Sequence, residues 1–236
     1  MDISDPKIIS LKARVEAAQL EFDQAVTFHE MWKPATYDDA LRDRMGVSYA
    51  THGYLIVRAA LRREMLLALW RLWDRDDRTI AMHRIADALR EQDLIAALAE
   101  DRAARIGVPG ARLEMLSDLS RRAAETIAII DKYADGTADH AVLKNLRNLR
   151  NERLAHHQVQ PSAAPRADPT DEQIEAFYQD NSEIVRLLLS LVLAMAYDPK
   201  DAGSVFQHYA TMFWAGVSGE QTEGHPNYRR RPAQNV

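Results

Sequence analysis

Apolar positions recur at three- and four-residue steps along nearly the whole chain, and no stretch sustains the strict alternation of a half-buried strand. Asp5-Pro6 predicts a helix start, with proline in the first turn, and that helix runs to about Trp32, where Lys33-Pro34 stops it. A second helix is predicted from Val47 to Asp74, its stripe carried by Leu55, Leu61, Met65, Leu66, Leu69 and Trp73. A third runs from Thr79 to Ile106 and ends in Gly107-Val108-Pro109-Gly110. Arg112 to Tyr133 follows, then an Asp135-Gly136 turn, then a helix from His140 to about His157. The segment QVQPSAAPRADPT (158–170) holds three prolines and reads as a loop. Thr170 is placed to cap the next helix, whose first turn carries Asp171 and Glu172 where the macrodipole favours them, and which reaches about Tyr197. A last helix spans Asp201 to about Val217, and from Gly219 the chain reads as a loose tail. There is no glycine-rich phosphate loop and no internal repeat. The expectation is an all-α protein: one helical bundle over residues 1–218 with extra helices at its edges, and a flexible tail over 219–236.

Composition narrows the function classes. The chain of 236 residues, 47% apolar, has enough apolar side chains for a sizeable core. Its net charge of −5 rules out a basic coat protein, so any polyanion site must be a local patch. The absence of cysteine removes disulfides and thiolate metal sites and suits a reducing cytoplasm, which is the expected location. The N-terminal MDISDPKIIS lacks the basic-then-apolar pattern of a signal peptide. The most apolar stretch, IVRLLLSLVLAMAY (184–197), is too short to cross a bilayer and is interrupted by Arg186, so it reads as a buried helix and no membrane partner is expected. His29, His52 and His83 are isolated and read as packed or surface side chains. Trp32, Trp70, Trp73 and Trp214 read as core or interface residues, Glu64 as half of a surface ion pair, and Arg229–Arg231 as a solubilising tail. No metal or other cofactor is expected.

One helix carries candidate chemistry. In HAVLKNLRNLRNERLAHH (140–157), Val142, Leu143, Leu146, Leu149 and Leu154 form an apolar stripe. Lys144, Arg147, Arg150 and Arg153 form a basic one, relieved only by Glu152. Such a charge run is ordinarily a solvated face. The paired His156–His157 changes that reading, because imidazole exchanges a proton near neutrality while arginine stays charged and forks onto phosphate. Adjacent histidines point apart on a helix, which makes a shared metal ion awkward. At about 100° per residue His157 falls about 20° from Arg150 around the helix and His156 about 120° away, so both stay in play.

Arg150, the polar Asn151 after it, and a histidine after five or six intervening positions resemble the signature of the HEPN superfamily, small helical bundles of prokaryotic defence and toxin systems. The run-in LKNLRNLRN, the ending LAHH and the texture of LWRLWDRDDRTIAMHRI (69–85) look most like its abortive-infection AbiU-like branch, over about residues 10 to 217. The resemblance implies a HEPN-like bundle that forms a homodimer and a metal-independent endoribonuclease. The implied catalytic residues are Arg150, Asn151 and His156 or His157. Lys144, Arg147 and Arg153 would bind RNA, and an antitoxin protein is a possible partner. A catalytically silent HEPN-like module that binds RNA, nucleotides or a partner is the alternative.

Overall fold

The computed structural model of the protein describes residues 5–76, 78–108, 110–149, 169–219 and 224. The regular elements among the described residues are all helices, without a strand: α1 (Pro6–Tyr37), α2 (Asp39–Met45), α3 (Ala50–Trp73), α4 (Met82–Leu89), α5 (Gln92–Ile106), α6 (Ala111–Asp131), α7 (His140–Leu149), α8 (Asp171–Leu188), a π-helical turn (Leu189–Leu193) and α9 (Pro199–Ala215). None of these helices is long and apolar enough to cross a membrane. The fold is all-α, as the apolar periodicity predicts.

The chain divides into two compact units, residues 1–24 with 66–199 and residues 25–65 with 200–236. In the larger unit α6 packs against α4, α5 and α8, and α7 packs on α8. Its core holds Leu69, Leu72, Ile85, Leu89, Leu94, Leu98, Leu119, Phe177, Ile184 and Leu188. A ring cluster of Trp73, Tyr133 and Phe177 joins α3, the turn after α6 and α8, with centroids 4.9–5.8 Å apart. Within it the Trp73 indole N–H donates to Asn181 Oδ1 at 2.8 Å. The smaller unit has a thin core of Ala35, Leu41, Met45, Tyr54, Ala210 and Trp214. There the Trp214 indole N–H donates to the carbonyl of Met31 at 2.9 Å, and the Tyr54 hydroxyl donates to that of Ala35. All four tryptophans are buried, as expected of core residues, and Glu64 pairs with Arg63 at 3.2 Å.

Several boundaries follow sequence signals. Asp5 accepts from the backbone N–H of Lys7 at 2.8 Å as Pro6 opens α1. Gly107 and Gly110, at φ +68° and +84°, take the left-handed conformations that turn α5 into α6. Thr170 caps α8 in a capping box with Gln173. The apolar stretch is buried from Ile184 to Val192 apart from Ser190 and from Arg186, which turns to Glu183 at 2.6 Å, but its end, Ala194 to Ala196, is exposed.

Other boundaries differ from the expectation. Pro34 does not stop α1, which continues to Tyr37. The last turn is held by the edge-on packing of Trp32 against Tyr37 and by burial of Ala35, and Asp38 then caps α2 through the N–H of Leu41 at 3.1 Å. The helix expected from Val47 begins at Ala50, and Leu55, placed on its buried stripe, is exposed while Tyr54 is buried. The helix expected over 79–106 is two helices broken at Arg90-Glu91. The buried positions step from Ile85 and Ala86 to Leu89 and then jump five residues to Leu94. In one continuous helix that jump would rotate Leu94 about 140° off the stripe, so both helices bury their apolar faces only if the chain breaks between them. The α8 helix ends in the π turn at Leu193 rather than near Tyr197, and Ala194 closes it at φ +57°. Arg102 donates there to the carbonyls of Ser190 and, at 2.6 Å, Leu191.

Candidate functional site

Helix α7 sorts its side chains as an amphipathic helix must. Val142, Leu143 and Leu146 are buried, which leaves Lys144 and Arg147 exposed on the other side. The turn that enters α7 is fastened by Thr137, whose hydroxyl donates to the carbonyl of Ala134 at 2.8 Å, and Gly136 supplies the positive φ of +93°. The turn sets Asp135 beside the first residue of α7. His140 Nε2 lies 3.2 Å from Asp135 Oδ1, and its Nδ1 lies 3.1 Å from the carbonyl oxygen of Tyr133. The segment just after α3 brings Arg75, whose Nη2 lies 2.8 Å from the same carboxylate oxygen.

These elements enclose a cavity of about 220 Å³ lined by Trp70, Trp73, Asp74, Arg75, Asp135, His140, Leu143, Lys144 and Arg147. A second cavity of about 400 Å³ shares Trp73, Arg75, Asp135 and Leu143 with it, so the Arg75–Asp135 pair stands at the seam. His83 lines the second cavity, where burial and then the nearby charge of Arg75 hold its imidazole below the ordinary histidine range.

The electrostatics are lopsided. The hydrogen bond from Arg75, helped by the charges of His140 and Arg147, holds the Asp135 carboxyl below the usual carboxylate range. Its negative charge is thus already shared. Lys144 and Arg147 make no hydrogen bond or ion pair among the described residues. Every other described arginine of the larger unit is engaged: Arg14 on backbone carbonyls, Arg102 on the π turn, and the rest with carboxylates or other partners. Trp70, 8% exposed, lines the same cavity, and its indole N–H meets no acceptor among the described residues. A buried donor left unpaired costs about 1–3 kcal/mol.

Of the residues expected at the site, Lys144 and Arg147 are brought together on the cavity. Arg150, Asn151, Arg153, His156 and His157 lie outside the described residues, as does the helix beyond Leu149. Arg75, Asp135, His140 and Trp70 were not expected there. His140 and Asp131 are near in sequence, but Asp131 pairs with Arg90 at 2.6 Å while His140 turns to Asp135. Among the described residues no three His, Asp or Glu side chains cluster as metal ligands.

Comparison with known proteins gives one family. The model of the HEPN family described as AbiU2 matches residues 8–213, a span that takes in parts of both compact units and the whole 140–157 segment. No curated protein and no solved structure matches the chain.

Proposed function

The chain belongs to the AbiU2 family of HEPN proteins, and from that premise we propose that it is a metal-independent endoribonuclease of phage defence, acting in abortive infection or as a toxin. The reading rests on the segment the family match runs through: Arg150 and Asn151 followed by His156-His157. In this reading His156 or His157 takes the proton from a ribose 2′-hydroxyl or gives one to the departing 5′-oxygen. The 2′-oxygen attacks phosphorus, the bond to the 5′-oxygen breaks, and the products are a 2′,3′-cyclic phosphate and a 5′-hydroxyl. Arg150 stabilises the charge that builds on the phosphate, and Asn151 orients phosphate or imidazole. Lys144, Arg147 and Arg153 hold the RNA backbone.

The observation that most favours RNA is the pairing pattern on α7. On a chain of net charge −5, Lys144 and Arg147, six and three residues before Arg150, make no hydrogen bond or ion pair among the described residues. The proposal includes a homodimer whose two copies of the Arg150–His157 segment share a cleft in the cytoplasm. An antitoxin protein would be a further partner.

The test is incubation of wild type and the His156→Ala/His157→Ala double variant with mixed cellular RNA in EDTA. Cleavage by wild type alone, leaving cyclic-phosphate ends, is expected, with Arg150→Ala equally inert. Equal cleavage by wild type and double variant sinks the assignment. RNA binding without cleavage by either protein favours the silent binding module.

A further inference from the structure

We propose that the outer face of α9, along Ala202, Val205, Tyr209 and Met212, is an interface on which a second copy of this chain packs antiparallel, across a two-fold axis near Tyr209. The face lies in the smaller unit, and the proposal is independent of the ribonuclease reading and of the cleft proposed for residues 150–157.

Helix α9 carries two apolar stripes where one would fasten it. Gly203, Phe206, Ala210 and Trp214 turn inward: Ala210 and Trp214 are buried, and a Cβ at Gly203 would meet Val26 and Glu30 of α1. The second stripe lies about 100° round the helix. It steps from Ala202 to Val205, Tyr209 and Met212 by three, four and three residues, and Gly216, in the turn that closes α9, extends it by four. That alternation is the seam of a helix that packs along another helix. Phe213 flanks it, and Val205, Tyr209, Met212 and Phe213 are 48–63% exposed. From Ala202 to Gly219 there is no Asp, Glu, Lys or Arg, on a chain of which 28% is charged. A face built for water would carry charge, whereas its depletion, with Tyr, Phe and Met in its place, marks the centre of a protein interface. A membrane surface fits this helix poorly, since helices that lie there carry Lys and Arg on their polar side.

Symmetry and area select the partner. Outward from Tyr209 the stripe passes to Val205 on one side and Met212 on the other, then to Ala202 and Gly216, so side-chain size falls off in both directions. In an antiparallel pair centred on Tyr209, Val205 of each copy meets Met212 of the other, and Ala202 meets Gly216, where small residues let the backbones close in. A two-fold contact is one patch meeting its own copy, and this profile is complementary to its own reverse. The arrangement also sets the positive end of each helix beside the negative end of the other. At their exposures the four large side chains leave roughly 450 Å² open, within the range of patches that carry function on a monomer. Two copies would cover about 900 Å² from these side chains alone, close to the ~1,000 Å² that a specific interface needs. Tyr209 and Phe213 are held in place by ring contacts, with Phe206 at 6.3 Å and with the buried Trp214 at 4.9 Å, which lowers the cost of ordering them.

Light scattering over a dilution series of the full chain, together with cysteine cross-linking, tests the contact. Tyr209→Glu/Met212→Glu places charge on the seam and is expected to come apart at concentrations at least about tenfold higher than wild type. Both positions are exposed, so the variant keeps its helical circular dichroism. Leu113→Glu, at an exposed apolar position of α6, is expected to assemble like wild type. The chain has no cysteine, so every disulfide reports an introduced pair. On oxidation Tyr209→Cys and Val205→Cys/Met212→Cys are expected to give covalent dimers, and Val205→Cys alone is not. A wild type that stays monomeric, assembly untouched by Tyr209→Glu/Met212→Glu, or cross-linking by Val205→Cys alone overturns the contact. A monomer that sediments with phosphatidylcholine vesicles overturns it in favour of a membrane surface. The His156→Ala/His157→Ala variant is expected to assemble like wild type, so the α9 contact and the nuclease reading stand or fall separately.

Discussion

Trp73 and Asn181 meet through a hydrogen bond of 2.8 Å from indole N–H to amide oxygen, and both residues are buried. The same Asn181 donates to the carbonyl of Phe177 at 2.7 Å, so its amide is used at both ends. Asn181→Ala would leave the indole N–H buried and unpaired, at a cost of about 1–3 kcal/mol. The urea midpoint is expected to fall with an unchanged m-value. An unmoved midpoint would mean that the pair contributes nothing to stability.

Alkaline pH should unfold the protein through two tyrosines. Burial, then the hydrogen bond each hydroxyl donates to a carboxylate, raises the phenols of Tyr133 (to Asp180, 2.9 Å) and Tyr197 (to Asp23, 2.6 Å) well above the ordinary tyrosine range. The unfolded chain ionises first, near pH ~10, so over that range the folded state binds more protons and stability falls as pH rises. Below that range the contribution is complete. Thermal melts from about pH 9 to about pH 11 should show a steeper decline for wild type than for Tyr133→Phe/Tyr197→Phe. Parallel declines would refute the assignment.

Arg102 closes the end of α8. Its guanidinium sits partly desolvated, which holds it below the ordinary arginine range, and donates to the carbonyls of Ser190 and Leu191. Arg102→Ala should cost about 1.5–3 kcal/mol, as loss of hydrogen bonds from a charged donor does. Arg102→Lys should recover only part, since a single ammonium lacks the planar fork. Chemical denaturation of the three proteins decides it, and an Arg102→Ala midpoint equal to wild type would show the carbonyls to be equally well served by water.

The cap on α8 offers a smaller, cleaner effect. Thr170→Ala removes the acceptor for the N–H of Gln173, 3.2 Å away, and should cost about 1 kcal/mol. Thr170→Ser keeps the oxygen and should melt within about a degree or two of wild type. If serine is as damaging as alanine, the methyl group rather than the cap is what matters.

Where a boundary is set by one or two residues, it could be read in advance. Asp5-Pro6, the Gly107–Gly110 turn, Asp135-Gly136 and Thr170 each act through local backbone chemistry. The boundaries that were misread are settled by packing at a distance. Pro34 stays helical because Ala35 and Trp32 are buried, and the Arg90-Glu91 break carries no glycine or proline to announce it. The five-residue jump from Leu89 to Leu94 was the available signal, and it reads as phase rather than as composition. At the site the basic stripe of α7 identified Lys144 and Arg147. Asp135 is set there by the turn that enters the helix, while Arg75 and Trp70 come from another part of the chain, and only the tertiary fold sets them beside it.

The π turn at Leu189–Leu193 carries one residue more than an α-helical path would need. In an ordinary helix, losing one residue turns everything beyond it by about 100° and drags buried side chains to the surface. Here the surplus gives the chain a place to absorb such a loss. Deleting Ser190, whose neighbours Leu189 and Leu191 are both buried, would let the turn rewind to α-helix and keep Ala194 and the following segment in place, at the loss of the bonds that Ser190 accepts from Arg102 and Arg122. The same one-residue deletion in the middle of α6 or α8 would have no slack to draw on. The wide turn is therefore where this fold can change length without changing register.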